Sequence, residues 1–358
     1  MKKVTNIVSL LLALIALNVQ VSAANTEVSP QRISSFIHWY PAMEQVKMRD
    51  EWLSKYKQGE WQFTGMVTAN DRTVVTPQAD VNYGYSWFNI SNKPVVITMP
   101  KYDKYYSLSV FDMNHFMEVY VKPERPVVIR LPHQKSPIKN ALEIVLHTYW
   151  GLAFTRQVIV HNEKEVMELA KKISIKGGGG DFPFIVPDFT PAEQKAGLKI
   201  IGEHVKKLPN GNKVFGSPYE GVGDLDRAAG VMQGQLGTQA RYVQYGLYIF
   251  DKDKKILKGK ASYEMHVPAK GLIRDKNGYW SFTIYNMADK YLIPNKENKY
   301  HISSYDAKKN SDGSVTIHVN PKGVGVNALP TTEKDFYGIF RVYEPVHSVV
   351  FPKIKRVK

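Results

Sequence analysis

Residues 279–285 read Tyr-Trp-Ser-Phe-Thr-Ile-Tyr, with Trp280, Phe282 and Ile284 at every second position. Side chains alternate between the two faces of a β-strand, so these three side chains share one face. Val315–Val319 and Phe336–Tyr343 have the composition of further strands, separated by polar turns. Many short strands with polar turns and few helices predict a sandwich or jelly roll for this third of the chain.

The first half of the chain has a similar pattern. The residues from Pro94 to Met99 and from Tyr106 to Phe111 are rich in β-branched and aromatic side chains, with a polar turn between them. This arrangement predicts a strand pair joined by a short loop. Further strands are predicted at Val127–Leu131 and Ile144–Tyr149. The fold class expected for the whole chain is mainly β, with two domains and a helical middle segment.

Helix signals mark the middle of the chain. Asn162 with Glu165 has the spacing of a helix cap, and Thr190-Pro191-Ala192-Glu193 has the features of a capping box with a proline at the first helical position. The run Gly177–Gly180 is followed by Asp181 rather than by the Lys-Ser/Thr of a phosphate-binding loop, so it is interpreted as a flexible linker. The predicted units are an N-terminal β-rich domain at 30–175, a glycine-rich linker and helix at 176–215, and a C-terminal jelly-roll-like domain at 216–358.

The N-terminus has the pattern of a secretory signal peptide. Lys2 and Lys3 precede an apolar stretch from Ile7 to about Leu17, and small residues follow near Ala23. The stretch is shorter than the roughly 20 residues that a membrane span requires. Cleavage near Ala23 is therefore expected, and it leaves a periplasmic or secreted protein without a transmembrane span.

Composition narrows the classes of function. The 358 residues carry a formal net charge of +15 and no cysteine, which excludes disulfides, thiol nucleophiles and zinc–thiolate sites. The positive charge can draw the protein towards anionic partners in the cell envelope, such as a glycan or a lipid, although a solvated basic surface is the simpler interpretation. The basic residues are scattered and form no nucleic-acid-binding motif, so nucleic acid is not expected as a partner.

Several separated stretches resemble two paired domain families. The earlier part resembles the domain of unknown function 1254 over Thr76-Pro-Gln-Ala-Asp80 with Tyr83, Pro94-Val-Val-Ile, Tyr105-Tyr-Ser-Leu, Asp112-Met and Arg156. The later part resembles the domain of unknown function 1214 over Leu225-Asp-Arg-Ala-Ala229, Gly234-Gln-Leu-Gly237, Leu257–Tyr263 with His266, Tyr279–Tyr285, Lys299–Ile302, Asp312-Gly-Ser314, Asn327–Pro330 and Phe340–Tyr343. The resemblance covers nearly the whole chain after residue 23. It implies a secreted or envelope protein with two β domains, and it implies no established reaction.

The sequence departs from these families at four positions. The families tend towards Asn and Thr where this chain has Gln78 and Val81, towards Arg where it has Lys299, and towards Trp where it has Ala328. Any ligand bound at these positions in other members need not be the ligand of this chain.

Carboxylates supply the candidates for catalysis. The sequence has no Gly-x-Ser-x-Gly elbow and no His-Glu-x-x-His helix. Asp80 and Asp112 flank the predicted strand pair and are expected at one end of the same sheet, where two carboxylates can perform acid–base chemistry. Arg156 is expected either to hold an anion or to neutralise one of these carboxylates.

Other residues are candidates for binding. The candidate ligand-binding residues are Tyr83, Tyr106, Arg227, Tyr285 and Asn327. A local salt bridge with Asp224 or Asp226 is the simpler interpretation of Arg227, and core packing is the simpler interpretation of Tyr83 and Tyr106. Tyr285 and Asn327 are candidates to line a rim of the second domain.

Metal ligation is a weaker interpretation. Two groups of residues have spacings that metal ligands also use: His115 with Glu118, and Glu264 and His266 with His318. A polar loop explains the first group better, and a surface pair explains the second better. No metal or other cofactor is assigned.

Two hypotheses for function follow. In the first, the chain is an exported envelope protein that binds a glycan, a lipid or another anionic ligand, or that assembles with itself or a partner. In the second, it is a periplasmic hydrolase or lyase of carbohydrate or envelope material, with Asp80 or Asp112 as acid–base and Arg156 holding an anion.

Overall fold

The computed structural model describes residues 28–72, 76–208, 213–274 and 276–357. The predicted signal peptide at 1–23 lies outside these ranges. The first half begins with helix α1 at Pro30–Leu53. Its strands are β1 (Gln62–Phe63), β2 (Val81–Asn89), β3 (Val95–Thr98), β4 (Tyr106–Asp112), β5 (Met117–Val121), β6 (Val127–Arg130), β7 (Leu142–Val145) and β8 (Trp150–Val158).

Three more helices connect this half to the second. Helix α2 (Glu163–Ala170) and strand β9 (Ser174–Gly177) follow β8, and helices α3 (Pro191–Val205) and α4 (Asp224–Gln233) come next. The remaining strands are β10 (Val243–Tyr248), β11 (Ser262–Val267), β12 (Tyr279–Asn286), β13 (His301–Ser303), β14 (Val315–Asn320), β15 (Ala328–Pro330), β16 (Phe336–Tyr343) and β17 (Ile354–Val357). None of the helices in the described ranges combines the length and the apolar character needed to cross a bilayer.

Each half is a two-layer β structure. The first half pairs a five-stranded sheet of order β1-β2-β8-β4-β5 with a sheet of order β7-β6-β3-β9. The second half pairs the sheet β10-β16-β12-β13 with the sheet β15-β14-β11-β17. Apolar side chains from both sheets fill the space within each half, as Leu108 with Ile97 and Phe282 with Met265 illustrate. The mainly β, two-domain fold class is therefore confirmed.

The predicted strand pair is wrong in its pairing, although both strands form. Strand β3 pairs with β6 and β9, whereas β4 pairs with β5 and β8 in the other sheet of the same half. The chain crosses from one sheet to the other between β3 and β4, because Val95 and Ile97 then face Leu108 and Val110 across the core. Burial of these apolar faces against each other, rather than hydrogen bonding, joins the two strands.

The glycine run is not a free linker. Strand β9 includes Gly177, and the next two glycines continue along the first half, with Gly178 N donating to Pro94 O at 3.0 Å and Gly179 N donating to Asn89 O at 2.8 Å. All four glycines have φ between 66° and 105°, which side chains with a Cβ rarely adopt. The glycine run therefore allows the backbone to pass close to the neighbouring main chain at the edge of the first sandwich.

The predicted helix caps both form. The Asn162 side chain accepts a hydrogen bond from Glu165 N at the start of α2. At the start of α3, Thr190 and Glu193 form the complete capping box. Helices α1, α3 and α4 then pack together around Phe36 and Ile201 beside the first sandwich.

Candidate functional site

The outer face of the β10-β16-β12-β13 sheet is polar yet buried. On β12, Ser281 and Thr283 lie opposite to the core face, and Ser281 pairs with Arg341 on β16. Seven of the eight residues of β12 are buried, so both faces of this strand are covered. The first half of the chain covers the polar face through hydrogen bonds and ring contacts.

A row of side chains on the first sandwich faces the same region. Tyr83 on β2, Arg156 on β8 and Ser107 on β4 are neighbours across the sheet and share one face. Arg156 donates to Ser109 Oγ at 3.1 Å and to the backbone oxygen of Leu236, and its guanidinium lies 4.4 Å from the centre of the Phe154 ring.

The segment 76–80 joins the two halves through hydrogen bonds. Arg341 Nη2 donates to Thr76 O at 3.1 Å, and Tyr285 Oη donates to Pro77 O at 2.8 Å. Gln78 Nε2 donates to Tyr279 Oη at 2.8 Å, and the Tyr343 hydroxyl donates to Gln78 Oε1. Four side chains of the second half thus fix the loop that precedes β2.

Aromatic rings complete the contact. The Tyr105 ring lies 5.3 Å from the Tyr279 ring and 4.7 Å from the Tyr343 ring, measured between centroids. Tyr305 Oη accepts a hydrogen bond from Tyr105 N at 3.0 Å. The two sandwiches therefore meet through phenols and amides as well as apolar surface.

Asp80 is the most unusual residue of this interface. It is 1% exposed, and neither carboxylate oxygen has a hydrogen-bond partner among the residues that the structure describes. Its backbone oxygen accepts a hydrogen bond from Ile159 N at 2.7 Å, so the main chain at this position is held at the end of β8. A buried carboxylate without hydrogen bonds is costly, and such a group calls for a functional explanation.

Two buried arginines are the second unusual feature. Arg156 is 5% exposed and Arg341 is 6% exposed, and neither forms an ion pair with a carboxylate in the described part of the chain. Arg341 Nη1 and the nearby Ser281 Oγ also lack hydrogen-bond partners among those residues. Buried charges in proteins are normally paired, so these two guanidiniums form an unneutralised positive region.

The contact between the two halves contains charges of both signs, with Arg156 and Arg341 as its positive end and Asp80 as its negative end. Burial raises the pKa of Tyr83 to about 12, although Arg341 and Arg156 both oppose this shift. Burial also raises the pKa of Tyr279, and the negative charge of Asp80 adds to the effect. The pKa of Tyr285 is raised by burial, an effect that Arg341 opposes and Asp80 increases.

His301 extends the negative end towards solvent. Its ring Nε2 lies 3.4 Å from Asp306 Oδ2, and the two side chains are 20% and 25% exposed. Burial alone would lower the pKa of His301, but Asp80 and Asp306 outweigh burial and raise it. We call Asp80, Tyr83, Arg156, Tyr285, His301 and Arg341 the interdomain cluster.

Four of the predicted site residues come together in the interdomain cluster: Asp80, Tyr83, Arg156 and Tyr285. Asp112 does not join them. Asp80 precedes Val81, which pairs with Val158 on β8, whereas Asp112 pairs with Gly151 at the other end of that strand. Val81 and Asp112 are thus seven residues apart along β8, which corresponds to about 23 Å between their backbone positions at roughly 3.3 Å per residue. The expectation that Asp80 and Asp112 lie at one end of the sheet is wrong, because β2 and β4 both run antiparallel to β8 and Asp80 precedes the start of β2 whereas Asp112 is at the end of β4.

Asp112 and Arg227 occupy a separate place. Asp112 Oδ1 accepts hydrogen bonds from Asn114 N and Phe116 N, both at 2.9 Å, and so holds the turn after β4. Arg227 donates to Asp224 at 2.9 Å and lies over the Phe116 ring. The predicted local salt bridge of Arg227 is present.

The other predicted binding residues also lie elsewhere. Tyr106 points to the opposite face of the first sheet from Tyr83, in the row of Gln157. Asn327 donates to Lys308 O and Thr316 O and stabilises a loop of the second sandwich.

The residues considered for metal binding have other partners. His115 Nε2 accepts from Leu236 N at 3.3 Å, and Glu264 lies 3.7 Å from His318 and 3.2 Å from Lys355. Within the described ranges, no three His, Asp or Glu side chains come close enough together to hold a metal ion.

Sequence reasoning missed Arg341, His301 and the role of Gln78. An arginine inside the aromatic strand Phe336–Tyr343 was an available signal, because a charge in a buried strand needs a partner. Gln78 lies inside the Thr76–Asp80 stretch that carries the family resemblance. No local signal connected His301 with Asp80.

The fold and the cluster define a class of protein in which two β sandwiches enclose a buried, charged interface. Residues 61–177 match the family model described as protein of unknown function DUF1254, and residues 242–347 match the one described as protein of unknown function DUF1214. The chain therefore contains a DUF1254 domain followed by a DUF1214 domain, which confirms the resemblance in the sequence.

Two solved structures are similar to this chain. The VPA0106 protein from Vibrio parahaemolyticus has a TM-score of 0.75 at 19% identity, covering 91% of this chain and 99% of its own. A putative uncharacterized protein from Burkholderia cenocepacia has a TM-score of 0.53 at 12% identity, covering 92% of this chain and 90% of its own. These similarities concern the fold. No curated protein matches the sequence.

Proposed function

We propose that this protein is an exported binding protein that takes a small anionic molecule into the interdomain cluster. The observation that carries the proposal is the pair of buried arginines, Arg156 and Arg341, without an acidic partner among the described residues. An anion between them would neutralise charge that the fold leaves uncompensated. Export follows from the predicted signal peptide at residues 1–23, which suits a periplasmic or secreted protein that meets ligands outside the cytoplasm.

The members of the cluster differ in their exposure to solvent. Tyr83 and His301 are half-buried, whereas Asp80, Arg156 and Arg341 are almost fully buried. A ligand would enter beside the half-buried members, and a small separation of the two sandwiches would admit it to the arginines. Binding between domains that move is a common arrangement for small ligands.

The alternative of a hydrolase or lyase that uses Asp80 and Asp112 together has no geometric support. The strand spacing puts about 23 Å between the backbone positions of Val81 and Asp112, whereas the carboxyl groups of a paired-carboxylate mechanism are about 5–9.5 Å apart.

Isothermal titration calorimetry tests the proposal on the full chain without residues 1–23. The probes are inorganic phosphate, propionate, lactate and gluconate, each titrated into the wild-type protein and into Arg341→Gln. We expect at least one probe to bind the wild type and to lose tenfold or more in affinity in Arg341→Gln.

Arg227→Gln is the matched control for this experiment. Arg227 is 3% exposed, like the arginines of the cluster, but it is paired with Asp224 and lies away from the cluster. Its substitution is expected to leave the affinity for the probe within twofold. Absence of binding by all four probes, or equal losses in the two variants, would refute the proposal.

A further inference from the structure

We infer that the ligand of the interdomain cluster is a hydroxylated monocarboxylic acid, with its carboxylate towards Arg156 and Arg341 and a hydroxyl group donating to Asp80. This inference rests on the proposed function and names the chemical class of its ligand. It follows from the two buried arginines, from the formal charge that a ligand must balance, and from the Asp80 oxygens that have no hydrogen-bond partner among the described residues.

The positive end of the cluster is suited to a carboxylate. Tyr83 lies opposite Arg156 on β8 and accepts a hydrogen bond from Gln78 N at 3.4 Å, and Arg341 donates to Thr76 O at 3.1 Å. Both arginines therefore lie beside the chain between Thr76 and Tyr83. Arg341 Nη1 has no hydrogen-bond partner among the described residues. A guanidinium donor of this kind pairs well with a carboxylate oxygen, because the hydrogen bond is charge-assisted.

The carboxylate of Asp80, at the negative end of the cluster, needs a hydrogen-bond donor from the ligand. Both oxygens of Asp80 are buried and accept no hydrogen bond from the described residues, and an ionised carboxylate is an acceptor only. A ligand with a hydroxyl group satisfies one oxygen of Asp80, whereas a simple fatty acid would leave both without a hydrogen bond.

The formal charge decides between a hydroxyl group and an ammonium group. Arg156 and Arg341 contribute two positive charges and Asp80 one negative charge, while His301 and Asp306 compensate each other as an ion pair. The remaining charge of one is neutralised by a monoanion with neutral donors. An amino acid zwitterion would leave that charge buried, which is unfavourable at low dielectric.

Lactate, propionate and alanine form a matched set of probes, because they differ only in the group at C2: hydroxyl, hydrogen or ammonium. Titration calorimetry with the full chain lacking residues 1–23 is expected to give an affinity for lactate at least tenfold above that for propionate and for alanine. In Asp80→Asn, the preference for lactate over propionate should fall below threefold.

The possible results distinguish failure of the hydroxy acid inference from failure of the proposed function. Propionate binding as tightly as lactate, with dependence on Arg341, would overturn the hydroxy acid and leave the anion-binding function standing. Tighter binding of alanine would assign an ammonium group to Asp80 and overturn the inference as well. Failure of phosphate, propionate, lactate and gluconate to bind the wild type would refute the proposed function itself. The comparison of probes on the wild type remains decisive even where Asp80→Asn fails to fold.

Discussion

At the scale of single residues, Asp80 and Asp112 are chemically alike but are placed in opposite circumstances. Asp112 is 2% exposed and accepts two backbone hydrogen bonds, so its carboxylate organises a turn. Asp80 is equally buried and holds no turn of this kind through its side chain. The hydrogen bonds of Asp112 give its carboxylate a structural role, whereas the lack of such bonds at Asp80 is the reason for assigning a ligand to the interdomain cluster.

Asp112 makes the stability of the protein depend on pH. Burial raises the pKa of Asp112 to about 7, although Phe116 N, Asn114 N and Arg227 oppose the shift. The folded state therefore holds a proton that the unfolded state releases near pH 4, and the contribution of Asp112 to stability is lost as pH rises from about 4 to about 7.

We expect Asp112→Asn to remove this dependence. The free energy of unfolding of the variant minus that of the wild type should grow with pH, by at most about 1.4 kcal/mol per pH unit, between pH 4 and pH 7. Above pH 7 it should level off. Urea titrations at four pH values measure the difference, and a constant difference across the range would contradict the pKa given for Asp112.

At the scale of elements, the helix caps are determined locally. Thr190 Oγ1 accepts from Glu193 N at 3.3 Å, and Glu193 Oε2 accepts from Thr190 N at 2.8 Å. Glu193 also binds Arg32 of α1 at 2.6 Å, so the cap of α3 is joined to the neighbouring helix. The sequence predicted this cap correctly because all of its hydrogen bonds lie within four residues.

Removal of the capping hydroxyl should lower stability measurably. We expect Thr190→Ala to reduce the free energy of unfolding by about 1 kcal/mol, since one backbone N–H of α3 loses its acceptor. Thr190→Ser retains the hydroxyl and should stay within a few tenths of a kcal/mol of the wild type. Urea denaturation followed by circular dichroism distinguishes them. Equal losses in both variants would mean that the methyl group, and not the cap, carries the effect.

Strand pairing is the element-scale feature that local pattern did not predict. The residues of β3 and β4 were recognised as strands, but their sequence neighbourhood suggested a hairpin. Alternation fixes which side chains share a face and leaves the partner strand undetermined. The partner is chosen by distant strands, β8 for β4 and β6 and β9 for β3.

At the scale of the whole molecule, the two sandwiches share a buried face. The segment 76–80 of the first half is hydrogen-bonded by Tyr279, Tyr285, Arg341 and Tyr343 of the second. Separation of the halves would expose these buried polar groups and aromatic rings together. We therefore expect the two sandwiches to unfold in one cooperative transition.

Core variants in each half test this cooperativity. Leu108 and Met265 are both 0% exposed and lie in the cores of the first and second sandwich, respectively. Leu108→Ala and Met265→Ala should each lower the midpoint of the same single calorimetric transition, with losses of about 2–5 kcal/mol. Two resolved transitions, with each variant lowering only one of them, would show that the halves unfold independently.

The sequence by itself determined the local features of this protein. Alternation set the core face of β12, the caps set the starts of α2 and α3, and the stretch Thr76–Asp80 carried the family. Each of these depends on residues close together in the chain, where spacing and side-chain chemistry are sufficient.

Only the tertiary structure decided the site. The polar face of β12 and β16 is buried because another sandwich lies on it, and this contact brings Asp80 and Arg156 to Arg341 across more than 180 residues of chain. The same pairing sends Asp112 to the far end of its sheet. The physical reason is that strand periodicity specifies the faces of each sheet, whereas the long-range packing that covers them depends on the whole chain.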